Sequence, residues 1–196
     1  MRFVLATNNP GKINEMREIL PGFGIEFMTR KDIGIDVEIE ETGTTFHENA
    51  LLKAKAICAL SGLPSIADDS GLIVDALGGA PGVYTSSFGG EDLSDAERYN
   101  YLLQKLENKE QRGAKFVCTI ACAFPDGKVI LAQGECCGRI AVKSAGSGGF
   151  GYDPVFIADG YDKTMAQLTS DEKNAVSHRG AALREFARLF LESEVL

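Results

Sequence analysis

The 196-residue chain sets 20 lysine and arginine residues against 28 aspartate and glutamate, a formal net charge of −8. That balance excludes general DNA or RNA binding, which needs a basic footprint. It leaves room for a phosphorylated small substrate, because a few lysines or a divalent metal can reverse the sign locally. With 44% hydrophobic and 24% charged residues, the composition is that of a soluble globular protein with a proper core, read as a single domain over residues 1–196.

In chain order, Phe3 to Ala6 reads as a buried first strand, too short for a signal peptide or membrane span. The polar turn Thr7-Asn8-Asn9-Pro10-Gly11 follows, then a helix from Lys12 to Leu20 with Ile13, Met16, Ile19 and Leu20 on one face. A second strand is expected over Ile25 to Met28. Asp36 to Glu41 alternates as D-V-E-I-E, which suits an exposed edge or a strand lining a cleft. Thr45 and Glu48 form a capping box that opens a helix to about Leu60, buried through Phe46, Ala50, Ala54 and Ile57.

Ser94 to Glu97 opens a further helix in the same way. Residues 115–124 and 128–136 read as two strands of a hairpin turning at Pro125-Asp126-Gly127. The last helix begins near Arg179 or Gly180 and carries Leu183, Phe186 and Phe190 inward. Helices and strands alternate first, and an antiparallel pair follows. The fold class expected is therefore α/β with a mixed sheet. The five cysteines are odd in number and lack a C-x-x-C pair. With only two histidines they point to reduced thiols in a cytoplasmic protein, not to structural zinc.

Several motifs carry chemistry. In Ser65 to Gly71, small and apolar residues lead into Asp68 and Asp69, two carboxylates expected at a strand end, with Ser70 after them. Such neighbours repel each other unless a cation or proton intervenes. The loop from Thr7 to Lys12 lies between strand and helix, where backbone N–H groups and the helix dipole favour a phosphate. It is no P-loop: Ala6 stands where that motif needs glycine and Ile13 where it needs Ser or Thr.

Glu38, Glu40 and Glu41 could join Asp68 and Asp69 around Mg²⁺, which takes a few carboxylates, waters and phosphate oxygens. Lys53, on the helix that follows, could face the same site or simply solvent. Gly146 to Gly151 matches G-x-G-x-x-G, but Tyr152-Asp153-Pro154 follows where a dinucleotide-binding unit would start a helix. A glycine-lined loop presenting Phe150, Tyr152 and Asp153 to a planar base is the better reading. His178 and Arg179 offer a donor pair for a carbonyl acceptor, with Lys173 five residues before His178.

Taken together, six blocks in order along nearly the whole chain resemble the inosine triphosphate pyrophosphatase family of house-cleaning hydrolases. They are Leu5 to Lys12; Glu41-Thr42-Gly43 with Thr45-Phe46 and Glu48-Asn49-Ala50; Ala67 to Leu72; Leu77 to Gly82; Gly148 to Pro154; and Ser177 to Gly180. The resemblance implies an elongated mixed sheet flanked by helices, two lobes around a central cleft, and a homodimer. It implies Mg-dependent hydrolysis of ITP, dITP and XTP to the monophosphate and pyrophosphate.

Carried over by position, Thr7, Asn8, Asn9, Pro10, Gly11 and Lys12 would bind the triphosphate, and Ser70 would touch the substrate. Glu40 and Asp69 would hold Mg²⁺, with Asp69 also the proton acceptor for the attacking water. Phe150, Gly151, Tyr152, Asp153, Lys173, His178 and Arg179 would form the base and sugar pocket. Which acid of Glu40/Glu41 and of Asp68/Asp69 faces the metal is left open by the sequence. The alternatives are a haloacid-dehalogenase-type phosphatase, whose D-x-D-x-T spacing is missing here, and a nucleotide-sensing module without turnover.

Overall fold

The computed structural model describes residues 1–20 and 26–194. Among these, six strands form one mixed sheet: β1 (Arg2–Leu5), β2 (Glu26–Thr29), β3 (Ser65–Val74), β4 (Gly113–Ala123), β5 (Val129–Ile140) and β6 (Phe156–Ala158). Their order is β2-β1-β3-β4-β5-β6. β1 pairs parallel with β2 and with β3, whereas β5 and β6 run antiparallel. Five α-helices accompany them: α1 (Pro10–Ile19), α2 (Phe46–Ser61), α3 (Asp95–Lys105), α4 (Ser170–Val176) and α5 (His178–Glu194). The mixed α/β class read from the sequence is the class observed. The Ile25 end of the expected second strand lies outside the described residues.

The chain forms two compact units and passes between them after residues 69, 117, 134 and 178. In the first unit, Phe3 and Leu5 of β1 belong to one apolar cluster with Met16, Leu20, Leu183 and Phe186. Val4 and Ala6 belong to another with Ala50, Ala54 and Ile57 of α2. A strand covered on both faces needs an unbroken apolar run, which is why Phe3 to Ala6 does not alternate. Phe190 of α5 meets Phe3 edge-on at 5.7 Å between ring centroids. The second unit has its own core, including Leu72, Val74, Leu102, Phe116, Ile140, Val155 and Phe156.

Local signals place most elements. Both expected capping boxes form, Thr45 with Glu48 and Ser94 with Glu97, and the hairpin turns where Phe124 N–H donates to the Lys128 carbonyl at 2.9 Å. Two readings are corrected. Asp36 to Glu41 is not a strand: the segment has no ladder partner, and the buried Arg30 guanidinium donates to the Val37 carbonyl instead. Asp68 and Asp69 sit within β3, not at its end, because pairing continues through Gly71 to Val74. α5 starts at His178, one residue before the expected Arg179, and the short α4, separated from it by Ser177, is an element the sequence reading did not contain.

Candidate active site

Side chains of a strand alternate between its two faces, and this decides what the adjacent acids do. Asp68 lies two residues after Ile66, on the side of the α1 and α5 cluster. Its Oδ2 accepts from Arg179 Nη2 at 3.0 Å and Nε at 3.3 Å, and the Lys12 ammonium stands 3.1 Å away. Glu15 takes the other end of the same guanidinium at 2.5 Å. Asp68 and Arg179 are both fully buried. Burial alone would raise Asp68, but Lys12, Arg179 and Lys53 overcome it and hold the carboxyl well below the usual carboxylate range. For Arg179, burial disfavours the charge while Asp68 and Glu15 outweigh that and raise its pKa.

Asp69 faces the other way, toward α2. Lys53 donates to its Oδ1 at 3.0 Å, and Asn49 Nδ2 donates to its Oδ2 at 3.4 Å. The same ammonium lies 3.1 Å from Glu41. Burial lifts Asp69 to about 6 against the pull of Lys53, and the Glu41 charge adds to the lift. Lys53 is itself buried, which disfavours its charge, yet Asp69, Asp68 and Glu41 together raise its pKa. Two adjacent acids are thus shifted in opposite directions, Asp68 down and Asp69 up.

Asn49 also fixes the acidic segment, because its Oδ1 accepts the Gly43 N–H at 2.8 Å. A Cβ on Gly43 would stand 2.5 Å from that oxygen, so the close approach requires glycine there.

In the first loop, Asn9 caps α1. Its Oδ1 accepts from Gly11 N at 2.9 Å and Lys12 N at 3.3 Å, and Asn9 N donates to Thr7 Oγ1 at 3.2 Å. These N–H groups are engaged locally, and Lys12 is anchored on Asp68. Asn8 and Pro10 are exposed beside them.

The second unit holds the remaining positions. Asp153 Oδ2 accepts from Phe150 N at 2.8 Å and pairs with Lys173 at 2.5 Å, while Lys173 also lies over the Phe150 ring, 4.7 Å from its centroid. Tyr152 is buried and donates to the Thr85 carbonyl at 3.0 Å. Gly151 N donates to Asp95 at 2.7 Å. His178 is buried and stacks on Phe116 at 4.6 Å and 11°. The unit boundaries fall between Asp69 and Ser70 and between His178 and Arg179.

Four residues escaped the sequence reading: Glu15, Phe116, Asp95, and Asn49 in its bonding role. Two had a signal. Glu15 is three residues past Lys12 and Asn49 four before Lys53, spacings that share a helix face.

Among the described residues, no group of three or more His, Cys, Asp or Glu side chains is placed to hold a metal ion. Mg²⁺ does not require such a group; it is held by one or two carboxylates with waters and phosphate oxygens. Asp69 and Glu41 already hold a positive charge between them, the Lys53 ammonium. Hard carboxylate oxygens around a cation are the donor set that such an ion takes.

The Ham1 family model matches residues 3–189. The chain belongs to the Ham1 family. Among similar proteins of this family is a dITP/XTP pyrophosphatase of Yersinia pseudotuberculosis, 48% identical over 187 residues, covering 93% of this chain and 94% of the relative. One from Bacillus subtilis is 46% identical over 188 residues, covering 95% of each. The solved HAM1 protein of Coxiella burnetii superposes with a TM-score of 0.89 at 40% identity, covering 98% of this chain and 99% of that one.

Proposed function

We propose that this Ham1-family chain is a nucleoside triphosphate pyrophosphatase. It hydrolyses the non-standard purine nucleotides ITP, dITP and XTP to the monophosphate and pyrophosphate, and so cleanses the nucleotide pool. The observation that carries the chemistry is Asp69: a buried carboxylate lifted to about 6 beside a lysine is a stronger base than an ordinary aspartate, yet ionised at neutral pH. The relatives named dITP/XTP pyrophosphatase support the substrate class.

In this reading water attacks the α-phosphorus, Asp69 takes its proton, and the bond to the bridging oxygen of the β-phosphate breaks to release pyrophosphate. Lys12, with Thr7, Asn8, Asn9, Pro10 and Gly11, receives the triphosphate. Its ammonium exchanges part of its contact with Asp68 for phosphate oxygens, and Asp68, itself fixed by Arg179, keeps it in place meanwhile. Ser70 touches the substrate. A divalent cation, Mg²⁺, would be held by Asp69 with Glu40, and Glu41 is the rival ligand because it already reaches Lys53. When bound, the ion neutralises charge on the phosphate oxygens.

Phe150 supplies a stacking face, and Gly151, Tyr152, Asp153, Lys173, His178 and Arg179 shape or brace the base and sugar pocket. A 6-oxo purine satisfies donors that adenine would leave unpaired, the kind of mismatch that discriminates strongly. The proposal includes one working domain over 1–196, a homodimer, a cytoplasmic setting, and no nucleic-acid partner, the last supported by the net charge of −8. No helix among the described residues is long and apolar enough to cross a membrane.

The test is to incubate the purified protein with ITP and Mg²⁺ and identify the products. IMP with pyrophosphate is expected. IDP with orthophosphate would favour a phosphatase, and unchanged ITP a module without turnover; either overturns the reading.

A further inference from the structure

The loop Gly149 to Asp153 has two backbone amides that carboxylates hold from opposite directions. Phe150 N–H points to Asp153 within the loop. Gly151 N–H points to Asp95, 56 residues earlier in the chain, at 2.7 Å. Gly151 has φ +60°, a left-handed conformation that a side-chain-bearing residue adopts at a cost.

Asp95 is free to serve the loop because its own helix does not use its carboxylate as a cap. Ser94 and Glu97 satisfy the start of α3 reciprocally. The base of the residue is stiff. The buried Arg98, one turn on, donates to the carbonyls of Phe88 at 3.3 Å, Gly90 at 2.8 Å and Leu93 at 2.5 Å. That ties the segment before α3 to the helix. A second bond joins the same segment to the loop, from the Tyr152 hydroxyl to the Thr85 carbonyl. Thr85 is in turn fixed to β3, where its Oγ1 accepts from Leu72 N at 2.9 Å.

We propose that Asp95 is a positioning residue for nucleotide recognition: by accepting the Gly151 N–H it sets the peptide between Phe150 and Gly151. With both amides committed to carboxylates, what Phe150 can present to a ligand is its ring, which the Lys173 ammonium already meets at 4.7 Å, and Asp95 fixes how that ring is presented. The kinetic half of this inference rests on the pyrophosphatase reading above; the structural half does not. An acceptor oxygen is what the loop needs, so asparagine at position 95 should serve where alanine fails.

The experiment compares wild type, Asp95→Ala and Asp95→Asn by amide hydrogen exchange at Gly151 and by steady-state hydrolysis of ITP. In D95A the Gly151 amide should exchange about tenfold faster or more, while D95N stays within about threefold of wild type. The KM for ITP should rise about five- to tenfold in D95A with kcat within about twofold, and D95N should restore it. Unchanged Gly151 exchange in D95A overturns the tether. Faster exchange with unchanged KM, or with kcat falling instead, overturns the positioning role. A wild-type protein inert toward ITP would defeat the functional reading, and the exchange data would still decide the tether.

Discussion

Asp68 and Asp69 differ by one position, so replacing each by asparagine gives a matched pair with opposite expected outcomes. Asp68→Asn keeps the shape and removes the negative charge that faces Arg179 and Lys12. Breaking a buried ion pair from one side costs about 3–5 kcal/mol, because the remaining charge is left uncompensated. Here Arg179 keeps Glu15 and Lys12 has 17% of its side chain exposed, so the lower end of that range, about 3 kcal/mol, is expected. Asp69→Asn works in the other direction. Raising an aspartate from 3.8 to about 6 means that ionising it in the folded protein costs about 3 kcal/mol at neutral pH. Asparagine removes that cost and keeps an acceptor oxygen for Lys53 while losing the charge that attracts it, and Lys53 retains Glu41. D69N is therefore expected to be as stable as wild type, or more stable by up to about 3 kcal/mol. Hydrolysis should fall by two or more decades. Urea unfolding at pH 7.5 with a chelator, alongside kcat on ITP, reads both quantities. A D68N protein within about 1 kcal/mol of wild type, or a D69N protein that loses as much stability as D68N, would refute the division of labour.

Three further outcomes follow from the same contacts. In chelator, stability attributable to Asp69 is fully present below pH 4 and is lost as pH rises from about 4 to about 6, since the folded state holds its proton longer. The Asp68 contribution has the reverse sign, present above pH 4 and lost below it. Stability curves of D69N and D68N should each lack one of these slopes. Titration of Mn²⁺ into E40Q and E41Q should show the larger loss of affinity, about tenfold or more, in whichever variant removes the ligand; E40Q is the expected one, and a loss confined to E41Q reassigns the site. Asn9→Ala should cost about 1 kcal/mol in unfolding stability by uncapping α1, and an unchanged midpoint would show that the cap contributes nothing.

What the sequence allowed to be read, and what it hid, follows from the range of each interaction. Caps, turns and apolar stripes are local, so Thr45 with Glu48, Ser94 with Glu97, and the Pro125 to Gly127 hairpin are all visible in a few consecutive letters. β6 and α4 were too short to show a period, at three and seven residues. D-V-E-I-E shows how periodicity misleads: alternation is necessary for a half-buried strand, but a strand also needs a neighbour. The pinning bond there comes from Arg30, a contact with no sequence signature.

The acids are the more instructive case. Their adjacency suggested one site with two carboxylates in mutual repulsion. Running the strand five residues further, from Ser70 to Val74, turns the same adjacency into separation, because consecutive side chains on a strand face opposite sides. Each acid then meets cations supplied by a different helix: Lys12 of α1 with Arg179 of α5 for Asp68, and Lys53 of α2 for Asp69. The difference in titration is a consequence of how many cations each face supplies. Lys12 and Arg179 at about 3 Å, aided by Lys53, overcome the full burial of Asp68, whereas Lys53, shared with Glu41, does not overcome that of Asp69 even with Lys12 added. A single dipeptide on a strand can therefore provide both a fixed anion that anchors Lys12 and a carboxyl beside Lys53 whose pKa burial raises.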